Sequence, residues 1–187
     1  METLDDVLLE ADDKMSKSLT FLQQEFSGVR TGKASPALVE NVAVAYYGTQ
    51  TRLRELAGIA TPEPRMLVIN SYDPTALPAI EKAILAANLG VTPMNDGRVI
   101  RIIIPELSEE RRKEMAKVIK RMSEDARIAV RNVRRDSNEH VKKLQKDSRI
   151  TEDERDQGLK QIQEDTDKYI GQIDAMLTAK EKEIMAV

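Results

Sequence analysis

The sequence predicts an α+β protein, a long antiparallel three-helix bundle with a small β/α/β domain inserted between its first and second helices. Three observations carry that expectation. Apolar residues recur at alternating steps of three and four in three separate segments, most of the prolines and glycines gather in the middle of the chain, and charge is sorted by segment.

The first stripe runs through Leu4, Leu8, Ala11, Met15, Leu19, Leu22, Phe26 and Val29. A second helix is predicted over 108–149, with Met115, Ile119, Met122, Ala126, Val130, Val133, Val141 and Leu144 on its apolar side. Ser108 before Glu109 and Glu110 reads as its N-cap, with acids in the first turn where the helix dipole favours them. The third helix, over 151–185, repeats the pattern through Leu159, Ile162, Thr166, Tyr169, Ile173, Met176 and Ile184. Thr151 followed three residues later by Glu154 forms a capping box at its start. A helix of about 40 residues is about 60 Å long, which fits a rod-like bundle better than a compact domain.

Between the first two helices the periodicity changes. Residues 42–47, 66–70 and 99–104 read as strands, the last preceded by the turn Asn95-Asp96-Gly97. Residues 79–88 form a short helix ended by Gly90, which either Asp73-Pro74 or Leu77-Pro78 could open. The domains are therefore 1–30 with 106–187, and 31–105. The chain passes between them twice, and the expected hinge comprises Arg30, Thr31, Gly32, Ile104, Pro105 and Glu106. Gly32 relaxes backbone restrictions, whereas Pro105 fixes its own φ and keeps Ile104 extended.

Charge points to function. Residues 111–149 hold 14 Lys/Arg against 6 Asp/Glu in a chain whose net charge is −3, while the flanking helical segments are acidic. At 100° per residue, Lys113, Lys117, Lys120, Arg127, Arg131, Arg134, Arg135, Lys142 and Arg149 fall in one sector. Met115, Met122, Ala126, Ala129, Val133, His140 and Leu144 fall roughly opposite, so one face is built for burial and the other for an anionic partner. The plainer alternative is that the basic helix only complements its acidic neighbours. With 3% aromatic residues the chain is poorly equipped to stack bases, so a bound RNA would be held by backbone and shape.

Chemistry of other kinds finds little support. Without cysteine there are no disulfides, zinc thiolates or thiol nucleophiles. Gly28 and Gly32 are separated by three residues, and Ala34 follows Lys33. Neither fits a phosphate-binding loop, which needs four intervening residues and a hydroxyl after the lysine. His140 is expected as a packed core histidine, and Glu152-Asp153-Glu154 as helix-start acids. The methionines are expected as core filling. No catalytic residue, metal site or cofactor is expected, and the chain is read as a monomer and not an enzyme. The acidic N-terminal segment does not look like a signal peptide, and no stretch has the length of an apolar membrane span. The expected location is cytoplasmic, with no membrane partner.

Several runs, in order, are similar to those of the bacterial ribosome recycling factor family. They are Arg30-Thr31-Gly32-Lys33-Ala34-Ser35-Pro36, Tyr46-Tyr47-Gly48, Leu89-Gly90 with Pro93, Glu109-Glu110-Arg111-Arg112-Lys113, and Ala129-Val130-Arg131-Asn132-Val133-Arg134-Arg135-Asp136. Lys33 stands where the family often has arginine, and Glu106 where a second proline is common. The resemblance implies an L-shaped protein that binds rRNA of the large ribosomal subunit after termination. Elongation factor G, carrying GTP, would then act with it to separate the subunits and release mRNA and tRNA. Carried over residue by residue, the family's rRNA contacts fall on Arg131, Arg134 and Arg135. Arg127, Lys142, Lys120 and Lys117 from the basic sector, and Arg112 from the acidic-to-basic run, complete the candidate set. A coiled-coil adaptor or holdase chaperone with a solvated basic face is the alternative from another class, and a nucleic-acid enzyme a third.

Overall fold

The computed structural model describes residues 3–186. The predicted bundle limits at residues 1 and 187 lie outside that range. The chain divides into two compact units, one formed by the segments up to Val29 and from Arg112 onward, the other by Arg30–Arg111.

The first unit is built from α1 (Leu4–Gly28), α4 (Glu109–Lys146) and α5 (Glu152–Met185). At 1.5 Å per residue α4 is about 57 Å long. Capping follows the sequence. Thr151 and Glu154 exchange hydrogen bonds as a capping box, Thr3 and Asp6 do the same for α1, and Ser108 Oγ accepts from the Arg111 N–H at 3.2 Å. The second helix stops at Lys146, earlier than predicted. Ser148 adopts φ +57°, and the N–H groups of Ser148 and Arg149 close back on the carbonyls of Gln145 and Leu144, each at 2.9 Å. This is a Schellman-type ending made with serine instead of glycine.

Met15, Leu22, Ile119, Val130, Val141, Ile162 and Ile173 are fully buried in one shared core. Each such side chain contributes about 1.5–3 kcal/mol relative to exposure. Cross-helix bonds set direction. Arg127 meets Asp174 and Lys120 meets Glu181, so α4 and α5 are antiparallel. Tyr169 donates to Asp12 Oδ1 at 2.7 Å, while Gly158 faces Leu4, so α1 and α5 run parallel. A Cβ at Gly158 would come within 2.8 Å of Leu4 Cδ1, so this glycine permits the close approach of α1 and α5.

The second unit holds six strands where three were expected. β1 (Ala43–Tyr46) and β2 (Thr49–Arg52) form a hairpin, whose turn places Tyr47 and Gly48 at φ +47° and +78°. Positive φ at both central residues is the type I′ geometry that matches strand twist. After the single turn α2 (Leu53–Leu56), strands β3 (Ala57–Glu63), β4 (Met66–Ser71), β5 (Pro93–Asn95) and β6 (Ile100–Ile103) make an antiparallel sheet in the order β3-β4-β6-β5. β3 and β5 escape a reading of sequence because Gly58, Pro62 and Pro93 look like breakers; both are edge strands, where proline is tolerated. β2 escapes it because Thr-Gln-Thr-Arg is polar.

Both candidate openings of the short helix are used. Asp73-Pro74 starts a 3₁₀ turn over Pro74–Ala76, and Pro78 lies in the first turn of α3 (Leu77–Ala86). Leu67, Ile69, Ile100 and Ile102 on one sheet face share a core with Leu77, Ile80 and Ile84 of α3.

Arg30 and residues 106–111 group with the second unit. Arg65 explains the return segment: its carbonyl accepts from the Ile104 N–H at 2.8 Å, and its guanidinium pairs with Glu106 at 2.6 Å. Ile104 is buried in that core. Gly90, at φ +70°, leaves room for the Arg30 guanidinium, which a Cβ there would approach to 3.0 Å.

In the β5–β6 turn, the Asp96 carboxylate accepts from the N–H groups of Val99 and Arg98 and pairs with Arg101. Those backbone bonds chiefly, and the arginine after them, hold its pKa down from 3.8 to about 2. A depressed carboxyl stabilises the fold above its unfolded pKa and loses that contribution as pH falls through the folded value. The gap in melting temperature between the native protein and Asp96→Ala should therefore be constant from neutral pH to about pH 5 and narrow between about pH 4 and 2. A gap that persists unchanged at pH 2, followed by thermal denaturation, would rule this out.

Candidate nucleic-acid interface

α4 carries the cationic sector, and its azimuth is set by what its apolar residues bury. Ile119, Ser123, Ala126, Val130, Ser137, Val141 and Leu144 are the buried positions of α4. On a helical wheel their centre lies only about 110° from that of the predicted basic sector, not opposite it. The seam is rotated toward the arginines because Ser123 and Ser137, polar in sequence, are interior positions, while Met115, Met122 and Val133 are only partly buried. His140 consequently lies exposed at the edge of the seam and is not a core histidine.

That rotation divides the eight candidate residues. Arg127 keeps only 18% of its side-chain exposure. Its Nε and Nη2 donate to Asp174 Oδ1 at 2.9 and 2.6 Å, and its Nη1 to Glu124 Oε2 at 2.9 Å. Partial burial pulls its pKa down, but the bonds to Asp174 and then Glu124 outweigh it, and the net shift is upward. Its fork is occupied, so it clamps α4 to α5. Arg134 is half-buried and reaches Gln163 Oε1 on α5 at 3.4 Å. Lys120 pairs with Glu181 at 3.4 Å, with most of its side chain exposed. Arg112 is half-buried and lies one heptad before Ile119, in line with the seam.

The remaining four face outward. Arg131 is partly exposed and touches Glu124 Oε1 at 3.3 Å. Lys117, Arg135 and Lys142 are exposed and have no side-chain partner among the described residues. Arg121 and Lys146, which were not singled out from the sequence, are exposed on the same side. The signal that would have found them is the position of the buried seam, which a wheel drawn from apolar residues alone misplaces. The complementary reading of the basic helix is thus correct for its α5-facing edge, and the anionic-partner reading remains for its outer edge.

Among the described residues no group of three or more His, Asp or Glu is arranged to hold a metal ion. Glu152, Asp153 and Glu154 occupy the first turn of α5, where the capping box and dipole account for them. No helix of the described residues is long and apolar enough to cross a membrane.

Fold and surface together define an α+β protein with a three-helix unit, a sheet-bearing second unit, and a strip of outward-facing cations along α4. Comparison with known proteins is specific. Residues 22–185 match the family model described as ribosome recycling factor. The ribosome-recycling factor of Carboxydothermus hydrogenoformans is 51% identical over 184 residues, covering 98% of this chain and 100% of that protein. That of Bacillus licheniformis is 54% identical over 181 residues, covering 97% and 98%. A solution structure of a ribosome recycling factor superposes with a TM-score of 0.81 at 42% identity, covering both chains completely. Another similar structure, at TM-score 0.69 and 40% identity over 99% of this chain and 100% of that one, is a Thermus thermophilus ribosome recycling factor described together with Escherichia coli elongation factor G on the E. coli post-termination complex. The chain belongs to the ribosome recycling factor family.

Proposed function

We propose that this protein binds rRNA of the large ribosomal subunit after termination and, with elongation factor G and its GTP, separates the subunits and frees mRNA and tRNA. The observation that carries the reading is the outward row of Lys117, Arg131, Arg135 and Lys142 on a helix of 38 residues. Arginine's planar fork suits two phosphate oxygens, and a packed rod keeps the cations at fixed intervals. Family membership and the likeness to a factor placed with elongation factor G support the same reading. The protein works in the cytoplasm as a monomer and performs no bond chemistry, the nucleotide being held by its partner. Arg131 and Arg135 bear most of the phosphate contact, with Lys117 and Lys142 beside them. Arg134 and Lys120 contribute from the flank, and Arg127 and Arg112 support the helix.

Two domains, 1–30 with 106–187 and 31–105, would move about the two crossings. Ile104 and Glu106 bond to Arg65 in the second unit, which supports a return pivot after Glu106, at residues 107–108 before α4 begins. Gly32, at φ +76° beside Leu107, remains the pivot on the outward crossing.

Co-sedimentation with large subunits at rising salt tests the interface. With about four neutralised phosphates, log K should fall against log salt with a slope of roughly −3 to −4. A slope near zero would remove the cationic strip from the interface. A holdase or adaptor would show salt-insensitive binding to proteins and no ribosome co-sedimentation.

A further inference from the structure

Within the cationic sector one carboxylate is placed as a phosphate would be. Glu124 lies on the outer side of α4, half of its side chain exposed, and each of its oxygens meets a different arginine. Oε2 accepts from Arg127 Nη1 at 2.9 Å and Oε1 from Arg131 Nη1 at 3.3 Å. These arginines differ in what else they hold. Arg127 is also bound by Asp174 through Nε and Nη2, whereas Glu124 is the partner of Arg131. The carboxylate is therefore fixed at its Arg127 end and competes for Arg131 at the other.

We propose that Glu124 is an internal competitor for phosphate at Arg131, setting the protein's preference for its rRNA site over RNA in general. The inference rests on the proposed binding of large-subunit rRNA through α4. An exposed ion pair of this kind is weak, worth a few-fold in equilibrium, and screened by salt. A lone phosphate gains little by displacing it. An RNA surface that also engages Arg135, Lys142 and Lys117 can displace it, because those cations hold the backbone in place while Arg131 changes partner. Glu124 thus lowers affinity for every RNA, and most in proportion for those that make few other contacts.

The test compares Glu124→Gln with Glu139→Gln. Glu139 is an exposed acid of the same helix without a side-chain partner among the described residues, so both changes remove one negative charge. Binding of oligouridine is followed by fluorescence anisotropy over a range of salt, and binding of large subunits by co-sedimentation. Glu124→Gln should tighten oligouridine binding about twofold to fivefold and steepen the salt slope by about 0.7, one more single-strand phosphate contact. It should tighten subunit binding less, so the ratio of the two affinities falls. Glu139→Gln should leave the slope unchanged, and Arg131→Ala should cancel the gain from Glu124→Gln in the double variant. Equal effects from both glutamate changes, or a gain that survives Arg131→Ala, would reduce Glu124 to a contributor of net charge and overturn the proposal. Large subunits that bind neither protein, with the oligouridine result intact, would overturn the ribosomal reading while leaving the competition at Arg131 established.

Discussion

Arg135→Glu is expected to weaken binding to large subunits by about tenfold to a hundredfold while leaving helix content unchanged. Arg135 is exposed, stands about 150° from the centre of the buried seam, and has no side-chain partner among the described residues. Its replacement therefore breaks nothing inside the protein. A lost hydrogen bond to a charged group costs about 1.5–3 kcal/mol, and the new carboxylate adds repulsion from phosphate. Arg134→Glu, by contrast, also removes the reach to Gln163, so an effect there mixes interface with packing. Circular dichroism beside co-sedimentation separates the cases. Helix loss in Arg135→Glu as large as the binding loss would make the residue structural and end its assignment to the interface.

The second large effect lies in the core. Leu22 of α1 has no exposed surface, and the cluster around it draws on all three long helices. Leu22→Ala should destabilise the first unit by about 2–5 kcal/mol, the removed surface and the residual cavity both contributing. For a unit of roughly 100 residues that corresponds to a fall in melting temperature of about 10–30 °C. Leu9→Ala on the same helix, where the leucine is 70% exposed, should change stability by less than about 0.5 kcal/mol. RNA affinity of Leu22→Ala, measured well below its melting point, should match the native protein, because α4 keeps its azimuth. A melting temperature indistinguishable between the two variants would show that α1 is not part of the bundle core.

Much was legible in the chain because the signals involved are local. The apolar stripes that mark α1, α4 and α5 as helices, the Thr151–Glu154 capping box and the Asn95-Asp96-Gly97 turn depend on residues within one helical turn of each other, so sequence alone determined them. The ordered runs from Arg30 to Asp136 likewise identified the family before any fold was known. Strands β2, β3 and β5 were not legible, since a four-residue polar run or a proline-bearing segment becomes a strand only when a neighbour supplies its ladder. The interface was half legible. Counting charges located the cationic helix, but which cations are available depends on rotation of α4 by tens of degrees, and Ile119, Ser123, Val130 and Ser137 set that rotation by burial against other helices. Arg127 and Arg135 are the same residue type in the same sector. Tertiary structure alone gives the first to Asp174 and leaves the second exposed without a side-chain partner among the described residues, because an ion pair between helices requires carboxylates that lie far away in sequence and close in space.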